Sequence, residues 1–144
     1  MTHDDRGHYA AKHPPGTVVR PEIQQAVNEK LQQGKIACAV AHDIAQSLKV
    51  PPKEIGMAID LKEGSIVKCQ LGLYGYEPDG KKVHPADTID PDVQNAIETH
   101  AKDGRLSCAT AWQLAAEHGL QRLAFSNVCE AMGIKIKPCQ LGAF

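Results

Sequence analysis

The sequence predicts a mainly α-helical protein with short β-strands, built as two similar units of three helices and a small two-stranded sheet. The tetrapeptide Cys-Gln-Leu-Gly occurs at 69–72 and again at 139–142, 70 residues later. Both copies extend backwards from this motif without a gap, and apolar residues recur within each copy at helical spacing. Only 4% of the residues are aromatic. The core therefore has to consist of small aliphatic side chains, which suits closely packed helices.

The two copies align from Pro21 against Pro91 to Tyr74 against Phe144. Chance seldom keeps one register over so long a stretch, so we interpret the repeat as an internal duplication. The segments outside the copies are polar and rich in His, Pro or Gly, which is typical of mobile connections. The predicted organisation is a flexible N-terminal arm at 1–20, a first unit at 21–74, a linker at 75–90 and a second unit at 91–144.

The first helix of each unit is predicted to begin at a proline and to end at a glycine. Pro21 and Pro91 suit the first helical position, where the missing N–H would have had no partner. Gly34 and Gly104 supply the left-handed residue that commonly ends a helix. These signals predict helices over 21–33 and 91–103.

A second and a third helix follow in each unit, separated by a break of about three residues. A steep crossing of two helices needs a small residue one turn before the break and a residue tolerant of positive φ at its start. It also needs an apolar residue inside the turn that points back to the core. Ala45 and Ala115 supply the small residue. Gly119 supplies the residue tolerant of positive φ in the second copy, whereas the first copy has the less suitable Lys49. Val50 and Leu120 supply the apolar residue of the turn.

The segments 41–61 and 111–131 resemble the helix-turn-helix of bacterial transcription regulators, and the β-prone pieces around them make each unit look like a winged-helix domain. The piece at 35–38 is expected to pair with the strand that follows the third helix. The second copy ends at Phe144, which leaves room for only a single strand or a very short hairpin as the wing. The resemblance implies double-stranded DNA as the partner, with the third helix in the major groove.

Under this resemblance, outward side chains of the third helices contact DNA. Arg and Asn bind the edges of guanine and adenine, so the second copy, with Arg122 and Asn127, is the expected principal reader. Lysines in and near the following strands are expected to contact phosphates, which position a protein on DNA. The predicted DNA-binding residues are Lys53, Met57, Lys62 and Lys68 in the first copy and Gln121, Arg122, Ser126, Asn127, Lys135 and Lys137 in the second.

The repeated cysteines support an alternative interpretation as a protein–protein adaptor. Cys38 and Cys108 end the first extended piece of each unit, and Cys69 and Cys139 lie in the strand expected beside it. Paired thiols there would form a redox sensor or half of a metal site. We favour simple packing, because free cysteine is commonly buried and the chain has no C-x-x-C pair.

Catalysis, a cofactor and a bound metal are not predicted. The seven histidines do not cluster with Ser, Cys and Asp, and no glycine-rich phosphate loop is present. The arm histidines His3, His8 and His13 are expected to be solvated. No apolar run approaches the roughly 18 residues of a membrane span and no signal-peptide core is evident, which favours a cytoplasmic location without membrane contact. A net charge of −1 means that any DNA-binding surface is local. The sequence leaves homodimer formation open.

Overall fold

The computed structural model describes residues 7–144, which divide into two compact units. Unit 1 consists of residues 7–69 together with Gln140–Phe144, and unit 2 consists of Gln70–Cys139. Each unit contains three α-helices and a two-stranded sheet, in agreement with the predicted mainly helical fold class. The units differ from the sequence copies at their ends. The last five residues of the chain pack in unit 1, and residues 70–90 pack in unit 2.

The elements of the two units follow one another in the same order. Unit 1 has a 3-10 turn at Tyr9–Lys12, then α1 (Pro21–Lys30), β1 (Lys35–Ala37), α2 (Cys38–Leu48), α3 (Pro52–Leu61) and β2 (Ser65–Val67). Unit 2 has α4 (Pro91–His100), β3 (Arg105–Leu106), α5 (Cys108–Glu117), α6 (Arg122–Ala131) and β4 (Lys135–Ile136). Every helix and strand of unit 2 begins 70 residues after its counterpart in unit 1.

Helices α1 and α4 begin at the predicted prolines but end three residues earlier than predicted. The glycines do not end these helices. Gln32 and Lys35 instead exchange two backbone hydrogen bonds of 2.9 Å, which closes a two-residue turn after α1. Gln33 and Gly34, at its centre, have φ of 53° and 75°. These values are typical of the tight hairpin turn that favours glycine. Gly34 therefore marks this turn and not the end of α1.

The breaks between the second and third helices are formed as predicted at the small residue and at the residue with positive φ, Lys49 in unit 1 and Gly119 in unit 2, but not at the apolar residue that follows. Ala45 is buried, and its carbonyl oxygen accepts a 3.0 Å hydrogen bond from the Val50 N–H. Lys49 adopts the left-handed conformation, with φ of 56°, despite its poor suitability. Val50 and Leu120 are only half-buried, so neither fills the core in the way that we expected.

The two small sheets confirm the predicted pairing of the extended pieces. In unit 1, β1 pairs with β2 so that Ile36 lies opposite Ile66, and in unit 2, β3 pairs with β4 so that Leu106 lies opposite Ile136. All four of these side chains are buried. Both pairs are parallel, so neither sheet is the antiparallel hairpin that a wing would form.

The repeated Cys-Gln-Leu-Gly motif contributes one leucine to the core of each unit. Leu141 is 1% exposed and lies in unit 1, and Leu71 is fully buried and lies in unit 2. Leu71 thus follows β2 of unit 1 but packs in unit 2, and Leu141 follows β4 of unit 2 but packs in unit 1. Across residues 7–144, no helix combines the length and the apolar character needed to cross a membrane.

Candidate nucleic-acid interface

Helix α3, the expected DNA-reading helix of unit 1, is partly covered by other segments of that unit. Gly56 faces the last residues of the chain so closely that a Cβ atom added to it would lie 1.6 Å from the Leu141 carbonyl oxygen. On the arm side, the backbone N–H groups of Tyr9 and Ala10 donate to the Glu63 carboxylate, at 2.7 and 2.9 Å. These contacts exclude DNA from part of the helix surface.

A buried carboxylate joins the arm to α3. Asp60 is 3% exposed, and its Oδ2 lies 2.9 Å from His13 Nε2 and 3.2 Å from Lys12 Nζ. The expectation that His13 is solvated is therefore wrong, because the side chain pairs with a buried acid. Of the other two arm histidines, His8 is exposed and His3 lies outside the described residues.

The predicted contact residues of unit 1 lie in different surroundings. Lys53, Lys62 and Lys68 are exposed, whereas Met57 is half-buried. Lys53 and Met57 line a cavity of about 350 Å³ together with Leu141 and other residues of the unit. Because its exposed lining is mainly apolar, this cavity is unsuited to phosphate.

In unit 2, the predicted reader Arg122 is held by two neighbours within the same unit. Its guanidinium carbon lies 3.6 Å from the centre of the Trp112 ring, and Nη1 donates a 3.1 Å hydrogen bond to Gln70 Oε1. Gln121, the residue before it, is exposed. The structure thus fixes Arg122 in a half-buried position.

Two further residues of α6 that were predicted to read DNA are buried or bonded within unit 2. Ser126 was expected on the outward face, but it is 1% exposed and its hydroxyl has no hydrogen-bond partner. Asn127 accepts hydrogen bonds from the backbone N–H groups of His84 and Ala86, at its Oδ1 and its carbonyl oxygen, both at 2.9 Å. The placement of Ser126 on the surface was therefore wrong.

The remaining two predicted residues belong to a compact basic surface. We define the basic sheet edge as Lys102, Arg105, Lys135 and Lys137, all of which are exposed. Arg105 is paired with Lys135 across the sheet and bridged to Lys102 across the preceding turn. Directly paired residues share a face of a sheet, and Lys137 follows Lys135 by two residues and so returns to that face. Leu106 and Ile136 alternate with these cations and are buried.

The basic sheet edge is a property of unit 2 and not of unit 1. Within residues 7–144, none of its four cations forms a salt bridge, and one carboxylate, that of Asp103, lies in the adjoining turn. The corresponding residues of unit 1 are Gln32, Lys35, Ser65 and Val67. Unit 1 therefore has one cation where unit 2 has four.

The cysteines of the alternative interpretation differ in their exposure to solvent. Cys38, Cys69, Cys108 and Cys129 are buried, and Cys139 is partly exposed. Burial raises the pKa of the Cys129 thiol to about 12, which leaves it protonated and unreactive at neutral pH. In the described part of the chain, no three His, Cys, Asp or Glu side chains are grouped so that they could hold a metal ion.

No protein-family model, curated protein or solved structure matches the chain. Sequence reasoning identified Lys135 and Lys137 but missed Lys102 and Arg105. A signal was available, because Arg105-Leu106 and Lys135-Ile136-Lys137 alternate between cation and aliphatic residue, as a strand with one solvated face does.

Proposed function

We propose that the chain is a DNA-binding regulatory protein built from tandem helix-turn-helix units that lack the hairpin of a wing, and that unit 2 binds the phosphates of duplex DNA. The observation that carries the proposal is the basic sheet edge, with four exposed cations on one face and no salt bridge to any described residue. Unpaired surface cations of this kind neutralise phosphates and release the counterions condensed on DNA. The repeated order of elements and the resemblance to helix-turn-helix regulators also support it.

The dimensions of the basic sheet edge suit a polyanion better than a small anion. Lys102, Arg105 and Lys135 lie on three neighbouring chain segments, and directly opposed residues are separated by about 5 Å. The row is thus about 10 Å long, a length over which duplex DNA presents about six phosphate charges. The side chains stand on an open sheet face, where a long charged surface can approach.

We assign contact with the DNA backbone to this surface and do not assign base reading to α6. The Arg122 guanidinium and the Asn127 amide oxygen are already bonded within unit 2. Reading a base edge would require them to exchange these contacts, whereas the four cations need no rearrangement. Phosphate contacts position a protein without specifying sequence, so the proposal predicts weak dependence on DNA sequence.

The test measures binding to a fluorescent DNA duplex as a function of salt. Four phosphate contacts give a slope of about −3.6 for the logarithm of the association constant against that of the salt concentration, or roughly 100-fold weaker binding after a fourfold increase in salt. In the Lys135→Glu, Lys137→Glu variant, the slope should fall by about 1.8 in magnitude. The matched control is Lys30→Glu, Lys49→Glu, which changes the net charge equally on exposed residues of unit 1 that are not among the predicted DNA contacts.

A smaller loss in the control than in the unit 2 variant supports the assignment to the basic sheet edge. Equal losses would mean that net charge alone governs binding, and they would remove the assignment to unit 2. Binding that is absent, or insensitive to salt, would remove the DNA proposal and leave the adaptor interpretation.

A further inference from the structure

Unit 2 contains a second feature that the basic sheet edge does not explain. A cleft of about 470 Å³ opens at the beginning of α6. Arg122 contributes to its wall, stacked on Trp112 and bonded to Gln70. None of the four cations of the basic sheet edge lines this cleft. The remaining lining residues are Ala115, Ala116, Leu120, Gln121 and Leu123.

The guanidinium group in this cleft lacks a compensating anion. Arg122 forms no salt bridge with any carboxylate of residues 7–144. A guanidinium carries five N–H donors, and the structure uses one of them for Gln70. The Trp112 ring and the Gln70 amide hold the group in one orientation, which reduces the conformational entropy that a ligand would otherwise have to overcome.

We propose that this cleft binds a small organic molecule that carries a carboxylate or a phosphate group. The planar guanidinium fork matches the geometry of both groups, and the first turn of α6 adds the partial positive charge of a helix N-terminus. Leu120, Leu123 and the two alanines accept an apolar body beside the anion. The volume lies within the range of small-molecule sites and exceeds what a lone inorganic anion would fill.

Trp112 is the only tryptophan in the chain, so its fluorescence reports directly on the cleft. The experiment titrates the full chain with benzoate and with phenyl phosphate, and with benzyl alcohol as the uncharged probe of similar size. Saturable changes are expected with one or both of the anions and not with the alcohol. Which anion binds more tightly decides between a carboxylate and a phosphate ligand.

Substitution of Arg122 tests whether the guanidinium recognises the anion. Arg122→Gln should weaken binding of the preferred anion about 10- to 100-fold, the usual range for a lost hydrogen bond to a charged group. Arg122→Lys keeps the charge without the fork and should give an intermediate loss. The matched control is Arg20→Gln, an exposed arginine of unit 1, which should leave the affinity unchanged. Circular dichroism confirms that each variant is folded.

Three kinds of result would overturn the inference. The first is the absence of a saturable change with either anion in the wild-type chain. The second is equal binding of benzyl alcohol, or undiminished anion binding in folded Arg122→Gln, because either result would make the cleft merely apolar. The third is displacement of the bound anion by duplex DNA, which would assign Arg122 to the DNA contact. Neither of the first two kinds of result would affect the proposal that the basic sheet edge binds DNA in a salt-dependent way.

Discussion

Replacing Gly56 by alanine tests the close approach between α3 and the end of the chain, because two physical effects predict opposite signs. In a helix interior, alanine is favoured over glycine by about 1 kcal/mol. At this position, however, the added Cβ would lie 1.6 Å from the Leu141 carbonyl oxygen, a distance that no adjustment of a side chain relieves. We therefore expect the last five residues to be displaced.

The cost of that displacement follows from what the segment buries. Leu141 is 1% exposed and Ala143 is 3% exposed. Returning a buried leucine side chain to water costs about 1.5–3 kcal/mol, and the alanine methyl adds about 0.8 kcal/mol. After subtracting the gain in helix propensity, the expected net destabilisation of Gly56→Ala is about 1–3 kcal/mol.

Urea unfolding followed by far-UV circular dichroism measures this effect as a lower transition midpoint. The companion variant is Ser126→Ala, at the corresponding position of α6, where a Cβ is already accommodated. Its buried hydroxyl lacks a partner, so its removal should raise stability by about 1 kcal/mol. Deleting residues 140–144 should cost less in Gly56→Ala than in the wild type, because both changes remove the same contact. A raised midpoint for Gly56→Ala would refute the reasoning, since it would mean that propensity outweighs the contact.

Two further predictions concern single residues. Lys49→Gly should stabilise the protein by about 1 kcal/mol, since glycine adopts the observed φ of 56° without the steric cost that lysine has there. Gly119→Lys, at the corresponding position of unit 2, should destabilise the protein by a similar amount. Thermal unfolding should therefore show a higher midpoint for the first variant and a lower one for the second, and any other pair of signs would count against this account. Burial raises the pKa of Cys129 from 9.0 to about 12, so this thiol should be the slowest to react with a disulfide reagent. Burial of the protonated thiol should also make the free energy of unfolding decline as the pH rises from 9 towards 12, because the unfolded chain loses this proton first. Mass-spectrometric mapping of the labelled cysteines checks the order, and labelling of Cys129 before the partly exposed Cys139 would contradict it.

Local signals in the sequence predicted the order and type of the secondary-structure elements. Prolines at the starts of α1 and α4, helical spacing of aliphatic residues and the two extended pieces each act over a few neighbouring residues. The same locality explains the errors. A glycine with positive φ serves equally at a helix end and in a two-residue turn, so Gly34 and Gly104 misplaced two helix ends. Lys49 is a different case, because it adopts the positive φ that the break requires although lysine is poorly suited to it, and its N–H bonds to the Ala45 and Gln46 carbonyl oxygens at the end of α2.

The solvent-facing side of a helix was the feature least accessible from the sequence. Periodicity identifies which residues of α6 share a face, but not whether a distant segment of the same unit covers another face. Residues 75–90 are polar and resemble a linker, yet they belong to unit 2, where the backbone at His84 and Ala86 bonds to Asn127. Asn127 was consequently assigned to a partner outside the chain although its Oδ1 and its carbonyl oxygen are bonded within unit 2, and Ser126 was placed on the surface although it is 1% exposed.

Differences between corresponding positions are therefore more informative about function than the identities that revealed the repeat. Identical residues such as Ala45 and Ala115 maintain the helix crossing in both units, and they carry no information about a ligand. Where the copies differ, Arg122 replaces Pro52 and Trp112 replaces His42, which equips the cleft of unit 2 with a stacked cation. Lys135 likewise replaces Ser65 beside Arg105. At these positions the cations lie in unit 2, beside the cleft and in the basic sheet edge, whereas the buried Asp60 of unit 1 binds Lys12 and His13 of its own arm.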